Sequence, residues 1–222
     1  MAKTARKTVQ QRADRVRIIL PILKATYPDA KCSLNFKKPL ELLVATILSA
    51  QCTDNRVNIV TKALFKKYRT ASDYAEVPQE QLEADIQSTG FYRNKAKSIR
   101  AMAASVIADH GGEIPRTMEE LTSLAGVGRK TANVVLGNAF GLNVGVTVDT
   151  HVTRLSQRLG LTKHADAVKI EHDLIPIVPQ EDWALWSHLL IHHGRAICQA
   201  RKPKCAECVI NDHCPSAFKA GK

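Results

Sequence analysis

The spacing of apolar residues restricts this chain most: almost everywhere it repeats every three or four positions. Val57, Val60 and Leu64 keep that spacing, as do Ile99, Met102 and Val106, then Ala167, Ile170 and Leu174, and more briefly Leu82 and Ile86. Side chains so spaced share one face of an α-helix. Only residues 144–148 (VGVTV) read like a strand, and Gly145 interrupts them with no second run to pair against. A strand without a ladder partner is not stable alone, so an all-α fold is expected. Boundary signals agree. Thr117 with Glu120 three residues on forms a capping-box pattern opening a short helix that carries Leu121 and Leu124. Pro78 can start another helix, and Gly90, Gly111, Gly112 and Gly141 mark breaks. Residues 1–12 read as a disordered arm, residues 218–222 as a frayed end, and residues 141–148 as a crossover between two helical regions.

Charge narrows the partners. Thirty-two Lys and Arg oppose 21 Asp and Glu, a formal net charge of +11. Such a surplus favours an anionic partner, of which nucleic acid is the commonest, against a merely solubilising surface. Basic residues gather at Arg6 and Lys7, at Arg93, Lys95, Lys97 and Arg100, and at Arg195, Arg201, Lys202 and Lys204. Contacts from such groups to backbone phosphates make binding salt-sensitive. The longest apolar stretches, such as residues 42–48 (LLVATIL), are too short to span a bilayer as a helix. The opening MAKTARKTVQQR lacks the apolar run of a secretory signal. A monomer in the cytoplasm, associated with the nucleoid and without a membrane partner, is the expectation.

Residues 121–135 (LTSLAGVGRKTANVV) read as helix, tight turn, second helix. Gly126 and Gly128 can take backbone conformations closed to other residues, while Val127 tucks inward to hold the helices together. The amides from Gly126 through Arg129 to Lys130 then converge at a helix N-terminus, which suits a phosphate held without reading sequence. A plain helix–helix turn is the competing reading.

Four of the six cysteines stand as C-x6-C-x2-C-x5-C: Cys198, Cys205, Cys208 and Cys214. Four thiolates can hold zinc or an iron–sulfur cluster, and chemistry alone leaves that choice open. His213 is spare once four cysteines bind, and Cys32 and Cys52 read as small buried side chains.

Together LAGVGRKTANVVL (124–136), VDTHVTR (148–154), LSAQCTD (48–54), TGFYRNKAKSI (89–99) and the cysteine cluster resemble the endonuclease III family of DNA glycosylases, over almost the whole chain. The resemblance implies two helical domains flanking a DNA-binding cleft. One is a six-helix domain at 31–142 with the helix-hairpin-helix; the other joins 1–30 to 143–222 and carries a [4Fe–4S] cluster on the four cysteines. It places the family nucleophile at Lys130, whose neutral amine would attack the sugar carbon and form a Schiff base. It places a catalytic carboxylate at Asp149, which also suits an N-cap before Val152, Leu155 and Leu159. Gln51 matches the glutamine inserted toward the space an extruded nucleotide leaves, and Phe91 stands where a leucine wedge is usual. Ala125 replaces the usual proline before the hairpin. Arg201, Lys202 and Lys204, between the first two cysteines, would meet phosphate from a pinned loop.

The implied activity is bifunctional: excision of oxidised or ring-damaged pyrimidines from duplex DNA, with AP lyase cleavage by β-elimination. Two alternatives stand beside it. An adenine-mispair glycosylase would need a glutamate acid, which residues 42–50 lack. A non-catalytic DNA-binding protein would give Lys130 and Asp149 no chemical task.

Overall fold

A computed structural model describes residues 2–219, with side chains from Thr8 onward. In chain order its α-helices are α1 (Ala2–Thr26), α2 (Pro39–Leu48), α3 (Asp54–Lys67), α4 (Ala71–Glu76), α5 (Gln79–Ile86), α6 (Tyr92–His110), α7 (Met118–Ser123), α8 (Arg129–Ala139), α9 (Thr150–Arg158), α10 (Ala167–Leu174) and α11 (Trp183–Ala196). Among the described residues there is no strand, and none of these helices is long and apolar enough to cross a membrane. The fold is all-α.

The chain divides into two compact units, residues 32–142 and residues 1–31 joined with 143–222. In the first, α6 packs on α4 and α5, while α8 packs on α2 and α7. Its core includes Leu42, Leu43, Leu48, Ile99, Met102, Leu121 and Leu136, all fully buried. At about 1.5–3 kcal/mol for each such side chain, this burial fixes the helix faces that the spacing foretold. Seven α-helices fall in 32–142 where the family resemblance implies six. The short α4 makes no visible apolar stripe, and its signal lies instead in its cap. Thr70 Oγ1 accepts from the Asp73 amide while the Asp73 carboxylate accepts from the Thr70 amide.

In the other unit, α11 packs on α9 and α1. Val16, Ile19, Leu20 and Leu23 of α1 are buried among Val152, Leu155, Trp186 and Leu190. That anchorage corrects the expectation of an arm at residues 1–12. Once Val16 and Ile19 commit a turn to the core, extending it outward adds a bond for each residue fixed. Arg12 pairs with Asp173 at 3.3 Å, and Arg15 donates to the Leu159 carbonyl at 2.8 Å. Met1 lies outside the described residues, as do the side chains of Arg6 and Lys7. The frayed-end expectation fails for Phe218 and Lys219, which sit in a turn where the Lys219 amide donates to the Ser216 carbonyl at 3.1 Å; residues 220–222 lie outside the described residues.

Residues 144–148 form no strand, yet their alternation has a use. Val146 and Val148 are buried in the core with α9 and α11, while Val144 is exposed. Ser187 on α11 donates to the Thr147 carbonyl at 2.8 Å, giving this extended backbone the partner that a ladder would otherwise supply.

Candidate functional site

The hairpin begins at Thr117, whose hydroxyl oxygen accepts from the Glu120 amide and caps α7. The Glu120 carboxylate accepts the Thr117 hydroxyl at 2.6 Å, a variation on the expected reciprocal box. After Leu124, the Val127 amide donates back to the Leu124 carbonyl at 3.1 Å, and the Val127 side chain is buried. One of the amides expected to face a phosphate is therefore committed to the turn. Gly126 has φ +76°, and a Cβ there would lie 2.9 Å from Ser98 Cβ on α6. Both facts require glycine. Gly128 differs from the sequence expectation: its φ is −94°, open to any residue, and a Cβ would meet nothing within 4 Å. Gly128 is the N-cap of α8 and supplies no side-chain acceptor to that helix's first turn. Arg129 and Lys130 occupy that first turn with exposed side chains.

Two other expected contact residues come together beside the hairpin. Gln51 and Phe91 line one groove of about 320 Å³ with Lys95, Ser98, Gly126 and Thr131, all within the 32–142 unit. Each is a non-glycine residue in the left-handed region, with φ of +51° at Gln51 and +49° at Phe91. Phe91 is 62% exposed, so it is not a core anchor of its turn. Lys95, expected with its neighbours as a phosphate contact, is instead 5% exposed. Its Nζ donates to the carbonyls of Leu48 at 2.8 Å and Thr89 at 2.9 Å. The spacing carried that signal: Lys95 precedes Ile99 and Met102 on the buried stripe of α6. Arg93 and Lys97 are exposed, whereas Arg100 is half-buried and donates to the Ala75 carbonyl at 3.3 Å.

In the other unit, Asp149 is the N-cap of α9, its Oδ1 accepting from the Val152 amide at 2.8 Å. The N-cap position that the sequence offered for this half-buried carboxylate is the one it takes. Burial holds nearby His188 down to about 4, with His192 lowering it further and Asp149 opposing, so this imidazole is neutral at physiological pH. His151 Nδ1 accepts from Arg154 Nη2 at 3.1 Å.

The far end of α9 holds the cysteine loop. Arg158 donates to Cys198 Sγ at 3.3 Å and to the Gln199 and Ala200 carbonyls at 2.7 Å each. Arg154 donates to the Cys198 carbonyl at 3.2 Å. Cys198, Cys205, Cys208 and Cys214 line one cavity of about 30 Å³. Burial pushes the Cys208 and Cys214 thiols up, and neighbouring cysteines of the set push both further. Were all four ionised, the thiolates would repel one another unless a cation sat among them. Among the described residues, no three His, Cys, Asp or Glu side chains are placed to share a single metal ion. His193 is buried with Nε2 3.4 Å from Cys208 Sγ and Nδ1 2.9 Å from the Tyr27 hydroxyl. Arg201 and Lys202 are exposed, and Lys204 lies 3.8 Å from the Glu207 carboxylate. Cys32 and Cys52 are half-buried against the core of 32–142 rather than fully enclosed.

Comparison with known proteins agrees along the chain. Residues 44–180 match the HhH-GPD superfamily base excision DNA repair protein family, and residues 198–214 match the iron-sulfur binding domain of endonuclease III. Endonuclease III of Synechocystis is 54% identical over 217 residues, covering 98% of this chain and 99% of that one. A solved non-covalent endonuclease III–DNA complex superposes with a TM-score of 0.88 at 47% identity, over 93% of this chain and 97% of that one. A trapped endonuclease III–DNA covalent intermediate, an estranged-adenine complex, matches with the same TM-score, identity and coverage. With the helix-hairpin-helix, the capped α9 and the four-cysteine loop in place, this chain belongs to the endonuclease III family of the HhH-GPD superfamily of base excision DNA repair proteins.

Proposed function

We propose that the protein excises oxidised or ring-damaged pyrimidines, such as thymine glycol, from duplex DNA and then cleaves the strand, with Lys130 as nucleophile and Asp149 as the assisting carboxylate. Glycosylase/AP lyase activity is characteristic of its family. The observation that carries the reading for this chain is the groove on which Gln51 and Phe91 stand beside Gly126 of the hairpin. A nucleotide must leave the stack before its sugar carbon can be reached, and a polar and an aromatic side chain at one rim suit the space left behind. The hairpin amides hold a backbone phosphate nearby, and Lys130 stands in the same first turn of α8.

Lys130 Nζ, as a free amine, attacks C1′ while the base departs with the electron pair of the broken glycosidic bond. Asp149 accepts the proton shed by nitrogen, or offsets positive charge growing on the sugar. Its Oδ2 serves while Oδ1 keeps the cap. The aminal opens to a Schiff base, a proton leaves C2′, and the C3′–O bond breaks with the 3′ phosphate departing. The four cysteines hold a [4Fe–4S] cluster. Their lining of one cavity, on the loop that matches an iron-sulfur binding domain, supports this. All four cysteines would serve as ligands, so the group would close the loop structurally and leave no position for an activated water.

Borohydride reduction of the protein on duplex DNA containing an abasic site tests this assignment. A covalent complex is expected from the parent and none from Lys130→Ala. Asp149→Asn is expected to keep most DNA binding and lose most excision. A cross-link that survives loss of Lys130 assigns the nucleophile elsewhere.

A further inference from the structure

Lys95 is the one buried charged side chain among the described residues of the 32–142 unit. No carboxylate pairs with it; two main-chain carbonyls, of Leu48 and Thr89, take its protons. Burial lowers its pKa, with Cys52 opposing. Taking an ammonium out of water carries a desolvation cost that two neutral acceptors only partly return, so this lysine is poorly explained as a stabiliser.

The positions of its partners give it another role. Leu48 is the last residue of α2, where carbonyls lack an intrahelical donor. Thr89 ends the 3-10 turn at Gln87–Thr89 and is itself buried. Gln51 follows Leu48 by three residues, and Phe91 follows Thr89 by two. Both are held in the left-handed region, which is unfavourable for a side-chained residue, and such conformations persist only where their surroundings fix them. One ammonium thus ties together the two chain segments that lead into the strained residues. We propose that Lys95 is a positioning residue that sets the separation and orientation of Gln51 and Phe91, so that both enter an opened base stack in register. This rests on the reading of Gln51 and Phe91 as the groups that fill the vacated space.

The test compares Lys95→Met, Gln51→Ala and the double variant. Each is assayed for single-turnover excision of thymine glycol from a duplex, for borohydride trapping on a preformed abasic site, and for thermal melting. Methionine keeps the stem and removes both the charge and its donors, so relief of the buried charge offsets the two missing hydrogen bonds to carbonyls and melting changes little. Excision is expected to fall about ten- to a hundredfold, the scale for sub-ångström to ångström misplacement, while trapping on the abasic site, which has no base to extrude, falls far less. Adding Lys95→Met to Gln51→Ala is expected to lower excision by clearly less than the product of the two single losses, because the share of the Lys95 effect that runs through Gln51 is already gone while the share through Phe91 remains. Two results overturn the proposal: excision by Lys95→Met within about twofold of the parent, or losses that simply multiply in the double variant. If Lys95→Met does not fold, Lys95→Gln, which keeps an amide donor, is read by the same criteria. A parent that neither excises nor cross-links sinks the glycosylase reading as well; an active parent with an unaffected Lys95→Met sinks this one alone.

Discussion

The two hairpin glycines look alike in sequence and differ in the fold. Gly126 is needed for its left-handed backbone and for its approach to Ser98, whereas Gly128 faces open space in an extended conformation. Gly126→Ala is therefore expected to destabilise by about 1–3 kcal/mol, through backbone strain and displacement of Ser98. Gly128→Ala is expected to melt at or slightly above the parent temperature, since alanine narrows the unfolded ensemble without native strain. Its methyl group, which enters open space beside the first turn of α8, should nonetheless weaken binding to duplex DNA by occupying room that a phosphate there would need. Melting curves alongside fluorescence anisotropy with an abasic-site analogue separate these effects. Parent-like affinity in Gly128→Ala would move the phosphate contact away from the hairpin. The sequence identified both glycines as special because G-x-G before a helix marks a turn, but φ depends on which peptide turns, and the pattern does not say. Phe91 posed the same difficulty. A phenylalanine after glycine serves equally as core or as rim, and only its 62% exposure decides. Lys95 was legible in principle, since it lies on the stripe of Ile99 and Met102, but lysine is read by habit as a surface charge.

At the scale of elements the sequence was most informative where a helix is long enough to show its stripe. α3, α5, α6 and α10 follow the apolar spacing, and α7 follows its Thr117 cap. α4 has too few residues for a stripe, and its Thr70–Asp73 cap was the sign to read. The cysteine loop was legible as a metal-binding unit, though not the way it is held. Arg154 and Arg158, four residues apart on α9, both reach its first residues, so the helix capped by Asp149 at one end fastens the loop at the other. Fastening of that kind presents Arg201 and Lys202 at small entropic cost, while Lys204 shares its charge with Glu207. Replacing Arg201 and Lys202 together by alanine is expected to reduce the slope of log affinity against log salt by about 1–2, near 0.9 for each phosphate no longer neutralised. Visible absorbance of the iron–sulfur group should be unchanged, since neither residue is a ligand. An unaltered slope would take this loop out of the DNA interface.

Across the whole molecule, the two cores share no residue: one is built from residues between 32 and 140, the other from 13–30 and 146–214. Helical periodicity cannot foretell that arrangement, because an amphipathic stripe says that a face is buried and not what buries it. The second core depends on α1, separated in sequence from its partners by more than a hundred residues. Val16, Ile19, Leu20 and Leu23 bury about 1.5–3 kcal/mol each there, a sum comparable with the whole stability of a small domain. Lys24 adds an ion pair to Asp182 at 2.7 Å, a minor term since the lysine is partly exposed. Deleting residues 1–31 is therefore expected to unfold residues 143–222 and release the iron–sulfur group, while residues 32–142 keep a core made wholly of their own side chains. Hydrogen exchange reads the two outcomes separately: protection retained through α2–α8 and lost through α9–α11. An isolated 32–142 chain should melt cooperatively, yet lack Asp149 and so fail to excise. If protection in α9–α11 survives loss of α1, then 143–222 carries enough burial to fold alone, and the four α1 side chains contribute far less than their buried area suggests.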